Sequence, residues 1–382
     1  MATLTPHSSQ QMIDLQKTDS RKATITIRQL RPNDQPAWDN YVKAHPDGSF
    51  FHLIGWKNIV EKTFGHSPCY LLAEQTFDPP EAITPDDQRS SQTTLAGVLP
   101  LFFIKSFLFG KFIISSPFAE VGGALANNTE IENLLLQRAV EITKSQGLDY
   151  LELRYKDKLL NGLALKSLYY NFKREIFPDL DQNMEAIPRK ARRMIRQGEK
   201  FNLSFEFGNH NLKSFYSVLA RSFHNLGTPL FTFRFFENIC DEFKENCLLL
   251  IIQNQDKLPI AGVLTFFYKD QVLPYYAGSL VEYRDLAPND FMYWQLMKYG
   301  CENGYRFFDF GRSKENTGSF HFKRHWGFEP KPLYYQYFLN RLTEMPNLSP
   351  ANPKYQRKIK LWKKLPPWVT QTIGPSLSKY LV

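Results

Sequence analysis

Apolar positions in this chain come in short blocks, and the blocks recur in the same order in both halves. The first half reads "CYLLAE" from Cys69, "AGVLPLFFIK" from Ala96, "KFIISS" from Lys111 and "GLDYLELR" ending at Arg154. The second reads "CLLLIIQ" from Cys247, "AGVLTFFYKD" from Ala261, "QVLPYYAG" from Gln271 and "GYRFFDFGR" ending at Arg312. Short apolar runs rich in β-branched and aromatic residues, bounded by polar or Gly positions, predict strands. Between the third and fourth blocks of each half the period changes. Ile131, Leu134, Leu135, Ala139 and Ile142 fall at helical spacing over Glu130 to Gln146, and Phe291, Trp294, Leu296, Met297 and Cys301 do so over Asn289 to Asn303. Gly147 and Gly304 stand where a left-handed residue ends a helix. A shorter helix, "GWKNIVEKTF" or "FFENICDEF", precedes each set.

Strands mixed with helices, in two ordered copies, predict an α/β (α+β) fold built twice, with mixed sheets flanked by helices. The first copy spans 24–177 and the second 178–340, behind a polar, disordered 1–23. The longer gap between the first two blocks of the first half holds "FDPPEAITPDDQRSS", a Pro- and Asp-rich hairpin tip. Within the second copy, Pro188 opens a helix and Gly198 closes it, and the helix carries Arg189, Lys190, Arg192, Arg193, Arg196 and Lys200. A Pro-punctuated basic tail follows over 341–382. In it Tyr355, Ile359 and Trp362 share one helical face among lysines, and two prolines after Leu365 stop any long membrane helix.

The 382 residues carry 47 Lys and Arg against 38 Asp and Glu, a formal charge of +9, which favours a polyanionic partner: a phosphorylated substrate, RNA or an anionic membrane surface. A basic chain kept soluble by its charge is the plainer reading. Four cysteines, at 69, 240, 247 and 301, have no metal-ligand spacing and read as buried small side chains in a reducing compartment. The N-terminus lacks an apolar signal core, and no apolar run reaches bilayer length. These features predict a cytoplasmic protein, with peripheral contact at the inner membrane face as an option.

The run from Asn289, "NDFMYWQLMKYGCENGYRFFDFGRSKENTGSFHFKRHWGFEPKPLYYQY", resembles the FemAB-like proteins. So do "KTFGH", "GVLPLFFIKSFLFG", "VGGA", "ELR", "IPRKARRMIRQG", "LGTPLF", "YYAG" and "NLSPANPKY", in that joint order from about Ile25 onward. Within the family the chain looks like the branch associated with exopolysaccharide loci and PEP-CTERM exosortase systems. The resemblance implies two tandem GNAT-like N-acyltransferase domains with no tightly bound cofactor. It also implies an aminoacyl-tRNA or acyl-CoA donor and a phosphorylated or lipid-linked envelope precursor as acceptor. The second half departs from acyl-CoA users, since "YYAGSLVEYRDLAPND" has only Gly278 where a pyrophosphate-cradling Gly-rich loop would stand.

Acyl transfer to an amine needs a positioned carbonyl, a proton acceptor and donors toward the developing oxyanion. The exit of the last strand in the second half supplies the candidates. Asp309 and Lys314 are expected to be catalytic, together with Tyr276 as a phenol near the amine. Arg312, Ser313 and Lys323 are expected to hold phosphate, Arg312 through its bidentate fork. Asp309 and Arg312 also admit a reading as an ion pair that pins the loop. In the first half, Lys57 and Arg154 are expected as charge partners of the acceptor's phosphate, with Gly122 and Gly123 as a short backbone cradle. "FFHLIGW" also offers His52, and "SSPFAEVGG" offers Glu120. Arg192 and Arg193 are expected to contact RNA or phosphate. Asn289 and Asp290 are expected to cap their helix. No metal is expected. The leading reading is a FemAB-like N-acyltransferase working by direct attack. An acetyl-CoA-dependent N-acetyltransferase and a non-catalytic RNA- or membrane-binding accessory protein stand beside it.

Overall fold

The structure, a computed structural model, describes residues 23–77, 91–106, 109–346 and 353–381. The expected disordered N-terminus, apart from Ala23, and the hairpin tip over 78–90 lie outside the described residues. The two-copy α/β architecture is present. In the first half, strands Ala23–Gln29, Leu71–Phe77 and Gln92–Leu99 pair antiparallel. The block "AGVLPLFFIK" does not stay whole, because it divides at Pro100 into Gln92–Leu99 and Leu101–Ser106, which enter different sheets. Proline has no N–H to give a central ladder. The second copy has Thr265 at the corresponding place, and its strand runs unbroken over Pro259–Tyr268.

Each half then forms a parallel pair on either side of its long helix. Gly110–Ser115 lies parallel to Tyr150–Tyr155, and Gln271–Ser279 lies parallel to Phe307–Asp309. The long helices span Thr129–Ser145 and Pro288–Glu302, and Gly147 (φ 58°) and Gly304 (φ 76°) follow them in the left-handed region as the sequence predicts. Neither Asn289 nor Asp290 is the cap, because the helix begins at Pro288 with Ala287 before it, and Asp290 Oδ1 accepts the Trp326 indole N–H at 2.9 Å.

The division at 177/178 does not follow the sheets. Tyr334–Leu339, from the second half, pairs antiparallel with Tyr150–Tyr155 of the first. Lys173–Glu175, from the first half, pairs antiparallel with Phe307–Asp309 of the second. Each half thus fills the open edge of the other's sheet, satisfying backbone groups that an edge would leave unpaired. The halves also share an aromatic core. Phe50 stacks on Phe266 with ring centroids 4.2 Å apart, and Phe51 meets Tyr275 at 4.8 Å. Burying each such ring is worth about 2–3 kcal/mol, so the two copies pack as one body.

The basic helix spans Arg189–Lys200, and Gly198 does not close it. Gly198 is buried in its last turn, where an added Cβ would stand 2.7 Å from the Cβ of Phe291. That glycine sets how closely the basic helix approaches the long helix, a packing role that looks like a stop signal in sequence. The tail folds into helices Pro353–Trp362 and Pro367–Ser378, and the second of them packs on helix Leu212–Leu226.

Candidate functional site

A cleft of about 540 Å³ opens where the two halves meet. Its walls come from the loop over 45–52, the loop over 120–129 and the exit of strand Tyr150–Tyr155. The exchanged segment holding Asn171 and Lys173, together with Gln271 and Asp309, completes it. Strand exchange is what brings Asn171 and Lys173 to this place.

Two carboxylates from different halves converge on one loop of the second half here. Asp309 accepts the Gly311 N–H through Oδ1 at 2.9 Å and the Asn171 amide through Oδ2 at 3.2 Å. Glu120 accepts the next N–H, that of Arg312, through Oε2 at 2.9 Å. Successive backbone donors therefore hold the pair. Gly311 adopts φ 65°, and a Cβ there would sit 3.0 Å from the Glu120 oxygen, so only glycine lets the carboxylate come this close. Burial, reinforced by the charge of Asp309, pushes the Glu120 carboxyl up to about 7. A carboxyl that titrates near neutrality in a cleft is suited to accept a proton from a reacting amine.

Lys323 is placed differently from the expectation. Its Nζ donates to the carbonyls of Phe310, Gly311 and Arg312 at 2.7, 2.9 and 3.0 Å. All three ammonium protons serve the loop, leaving none to hold a phosphate. Burial pushes this lysine down to about 8. Its role is to clamp the segment whose N–H groups carry Glu120 and Asp309.

Arg312 is half-buried behind the cleft wall. It donates to the Tyr335 hydroxyl at 2.8 Å and lies over the Tyr169 ring at 5.0 Å. Ser313 is buried with its hydroxyl unpartnered. Lys314 continues the same segment, pairs in the ladder with Tyr169 and does not line the cleft. Tyr276 is also elsewhere: its ring is enclosed by Phe231, Phe235 and Phe236. Burial holds that phenol well above its ordinary range. Its strand neighbour Tyr275 faces the other way and donates to the Phe118 carbonyl of the first half at 2.8 Å, also outside the cleft lining.

In the first half, Arg154 does line the cleft, but its guanidinium is buried against Glu152 (2.8 Å) and the Ala119 carbonyl (2.6 Å). Gly122 and Gly123 spend their N–H groups on the Arg154 carbonyl at 3.0 and 2.9 Å, so they form no anion cradle. A Cβ at Gly123 would lie 2.5 Å from the Tyr155 ring, and close packing explains this glycine. Lys57 pairs with Glu61 one turn along its own helix and lies outside the cleft. His52, buried and pushed down to about 4 by that burial, is neutral and bridges Ser49 and the Gly123 carbonyl. Arg192 and Arg193 sit apart, with Arg189, Lys190 and Arg196 around a second, shallow basic depression.

Lys156, Lys158 and Lys173 are cleft cations that the sequence reading missed. Lys158 is paired with Glu132, and Lys173 lies 4.1 Å from the centre of the Phe307 ring. Applying the strand-exit rule to "YLELRYKDK" as it was applied to "FFDFGRSK" finds Lys156 and Lys158. Among the described residues no group of three or more His, Cys, Asp and Glu is placed to hold a metal ion.

Residues 184–324 match the acetyltransferase (GNAT) domain family. The lipid II:glycine glycyltransferase of Staphylococcus haemolyticus is 31% identical over 134 residues, which covers 31% of this chain and 32% of that protein. The Staphylococcus aureus enzyme of the same name is 30% identical over 135 residues. The chain thus aligns with about a third of the length of these relatives. In fold, it superposes on FemX with a TM-score of 0.58 at 17% identity, covering 87% of this chain and all of that one. A tandem GNAT protein from clavulanic acid biosynthesis gives a TM-score of 0.50 at 9% identity, covering 83% of this chain and 98% of that one.

Proposed function

From a chain that is FemAB-like, with a tandem GNAT-type fold, we propose an N-acyltransferase that moves an aminoacyl or acyl group onto an amine of a cell-envelope precursor. The observation that carries this is the Glu120–Asp309 pair in the inter-half cleft, with Glu120 poised near neutrality. The acceptor amine attacks the donor carbonyl directly. A C–N bond forms, the C–O or C–S bond to the donor breaks, and the amine proton passes to Glu120 and onward to the leaving oxygen or sulfur. Asp309, fixed by Asn171 and Gly311, raises the basicity of Glu120. Lys156 and Lys173 supply positive charge for a phosphorylated, lipid-linked acceptor, either a peptidoglycan-type or an exopolysaccharide precursor. An aminoacyl-tRNA donor places the reaction in the cytoplasm, with Arg192 and Arg193 as backbone contacts. The test is incubation of the purified protein with aminoacyl-tRNA and a lipid-linked, amine-bearing precursor. Mass spectrometry should show one aminoacyl group added, and the addition should be lost in Glu120→Gln.

The GNAT domain match favours a second reading, acetyl transfer from acetyl-CoA. Calorimetry with CoA at millimolar concentration decides between donors, and an absence of heat removes this one. Binding to RNA or membranes with no transfer from any donor would leave only an accessory role.

A further inference from the structure

The charge of this chain is concentrated at one end. Residues 345–382 hold seven Lys and Arg and no Asp or Glu, while the other 344 residues carry 40 Lys and Arg against 38 Asp and Glu. The body is close to neutral, so most of the chain's net positive charge lies in the tail.

That tail is a helical hairpin with two different faces. Its inner face is anchored: Trp362, Thr370, Gly374 and Ser378 are buried, Thr370 meets His224 at 3.1 Å, and the Lys379 carbonyl accepts from His66 at 2.7 Å. The anchorage reaches both halves, so the hairpin has a fixed orientation. Its exposed surface includes Trp368 at 71% and Leu361 at 64% exposure, and Ile373, Arg357, Lys360 and Lys364 are also exposed. Leu226 is 63% exposed at the end of a neighbouring helix, where the adjacent Gly227 lies against Ile359 and Lys363. A single exposed leucine needs no explanation, but a Trp and several large aliphatics ringed by lysines do.

We propose that this face docks on an anionic bilayer surface. Aliphatic side chains favour lipid over RNA, because RNA recognition uses stacking and has no use for Leu361 or Ile373. The helices, of 10 and 12 residues, are too short to span a bilayer, so they lie along it with Trp368 at headgroup depth and the lysines on phosphates. Docking and acyl transfer can be read separately, since no hairpin residue lines the cleft.

Flotation of the full chain tests this, using vesicles of phosphatidylcholine alone and of phosphatidylcholine mixed with phosphatidylglycerol. The chain should bind the anionic vesicles about tenfold or more better, and added salt should reverse most of the difference. Trp368→Ala/Leu361→Ala and Lys360→Glu/Lys364→Glu should each weaken binding about tenfold with an unchanged melting temperature. Loss of binding in the lysine pair alone would assign the face to general anion attraction and overturn the insertion of its apolar residues. No binding to either vesicle, no effect of either pair, or displacement from vesicles by a random single-stranded RNA would overturn the proposal outright.

Discussion

Glu120 and Arg312 stand 192 positions apart, yet the Glu120 carboxylate accepts the Arg312 backbone N–H at 2.9 Å. The contact joins the loop after strand Gly110–Ser115 of one copy to the exit of strand Phe307–Asp309 of the other. Proton transfer in this cleft therefore depends on how the copies dock, and on Gly311 and Lys323, which shape the segment that Glu120 touches.

The rate should follow the ionisation of Glu120. Only the carboxylate accepts a proton, so kcat/KM should rise with pH through a single step near 7 and then level off. Glu120→Gln keeps an oxygen for the Arg312 N–H but cannot take the proton. Its turnover should fall about 10²-fold or more, and the step near 7 should vanish from the pH profile. A profile unchanged by the substitution would take the role from Glu120.

The same residue should cost stability. Its folded pKa, about 7, lies above the ordinary value of 4.5, so between those pH values the folded chain holds a proton that the unfolded chain releases. Stability therefore falls as pH rises through that window, by an amount on the order of 3 kcal/mol. Glu120→Gln should flatten this dependence and match or exceed the wild type above pH 7, measured by urea denaturation at several pH values.

Lys323→Met discriminates a clamp from a phosphate contact. Removing the ammonium leaves three carbonyls without their shared donor, and the expected loss is on the order of 3 kcal/mol. A phosphate contact would weaken acceptor binding and leave stability alone. Denaturation midpoints alongside KM separate the two outcomes.

Most of the fold was legible because the repeated blocks carry local signals: apolar runs for strands, helical spacing, and glycines after the long helices. The site was less legible. "FFDFGRSK" carries the loop of the site, but its one lysine and its arginine do not line the cleft, while Asp309 does. Asn171 and Lys173 join the cleft only through an exchange of edge strands, which no local pattern encodes. Tyr276 lies on the strand before the long helix, but its ring packs among Phe231, Phe235 and Phe236, away from the cleft. Gly122, Gly123 and Gly198 looked like cradle and stop signals, but close packing against Tyr155, Ser116 and Phe291 is what they permit.

Gly311→Ala should damage catalysis more than folding. The left-handed φ of 65° costs alanine about 1 kcal/mol, and its Cβ presses on the Glu120 oxygen at 3.0 Å. Displaced from the Arg312 N–H, Glu120 loses the hydrogen bond that favours its charged form. The pH step near 7 should therefore move upward while the melting temperature drops by only a few degrees. An unmoved step would mean that the carboxylate does not depend on this contact.

Arg192 and Arg193 test the donor. They lie on the basic helix around a depression of their own, outside the cleft, so Arg192→Ala/Arg193→Ala should leave the fold and the pH profile intact. If the donor is aminoacyl-tRNA, its KM should rise about tenfold and the salt dependence of binding should flatten by about two charges, because each arginine releases roughly one counterion. The acceptor's KM should not move. If the donor is acyl-CoA, the double variant should transfer at the wild-type rate at every salt concentration, since the helix would then have no donor to hold.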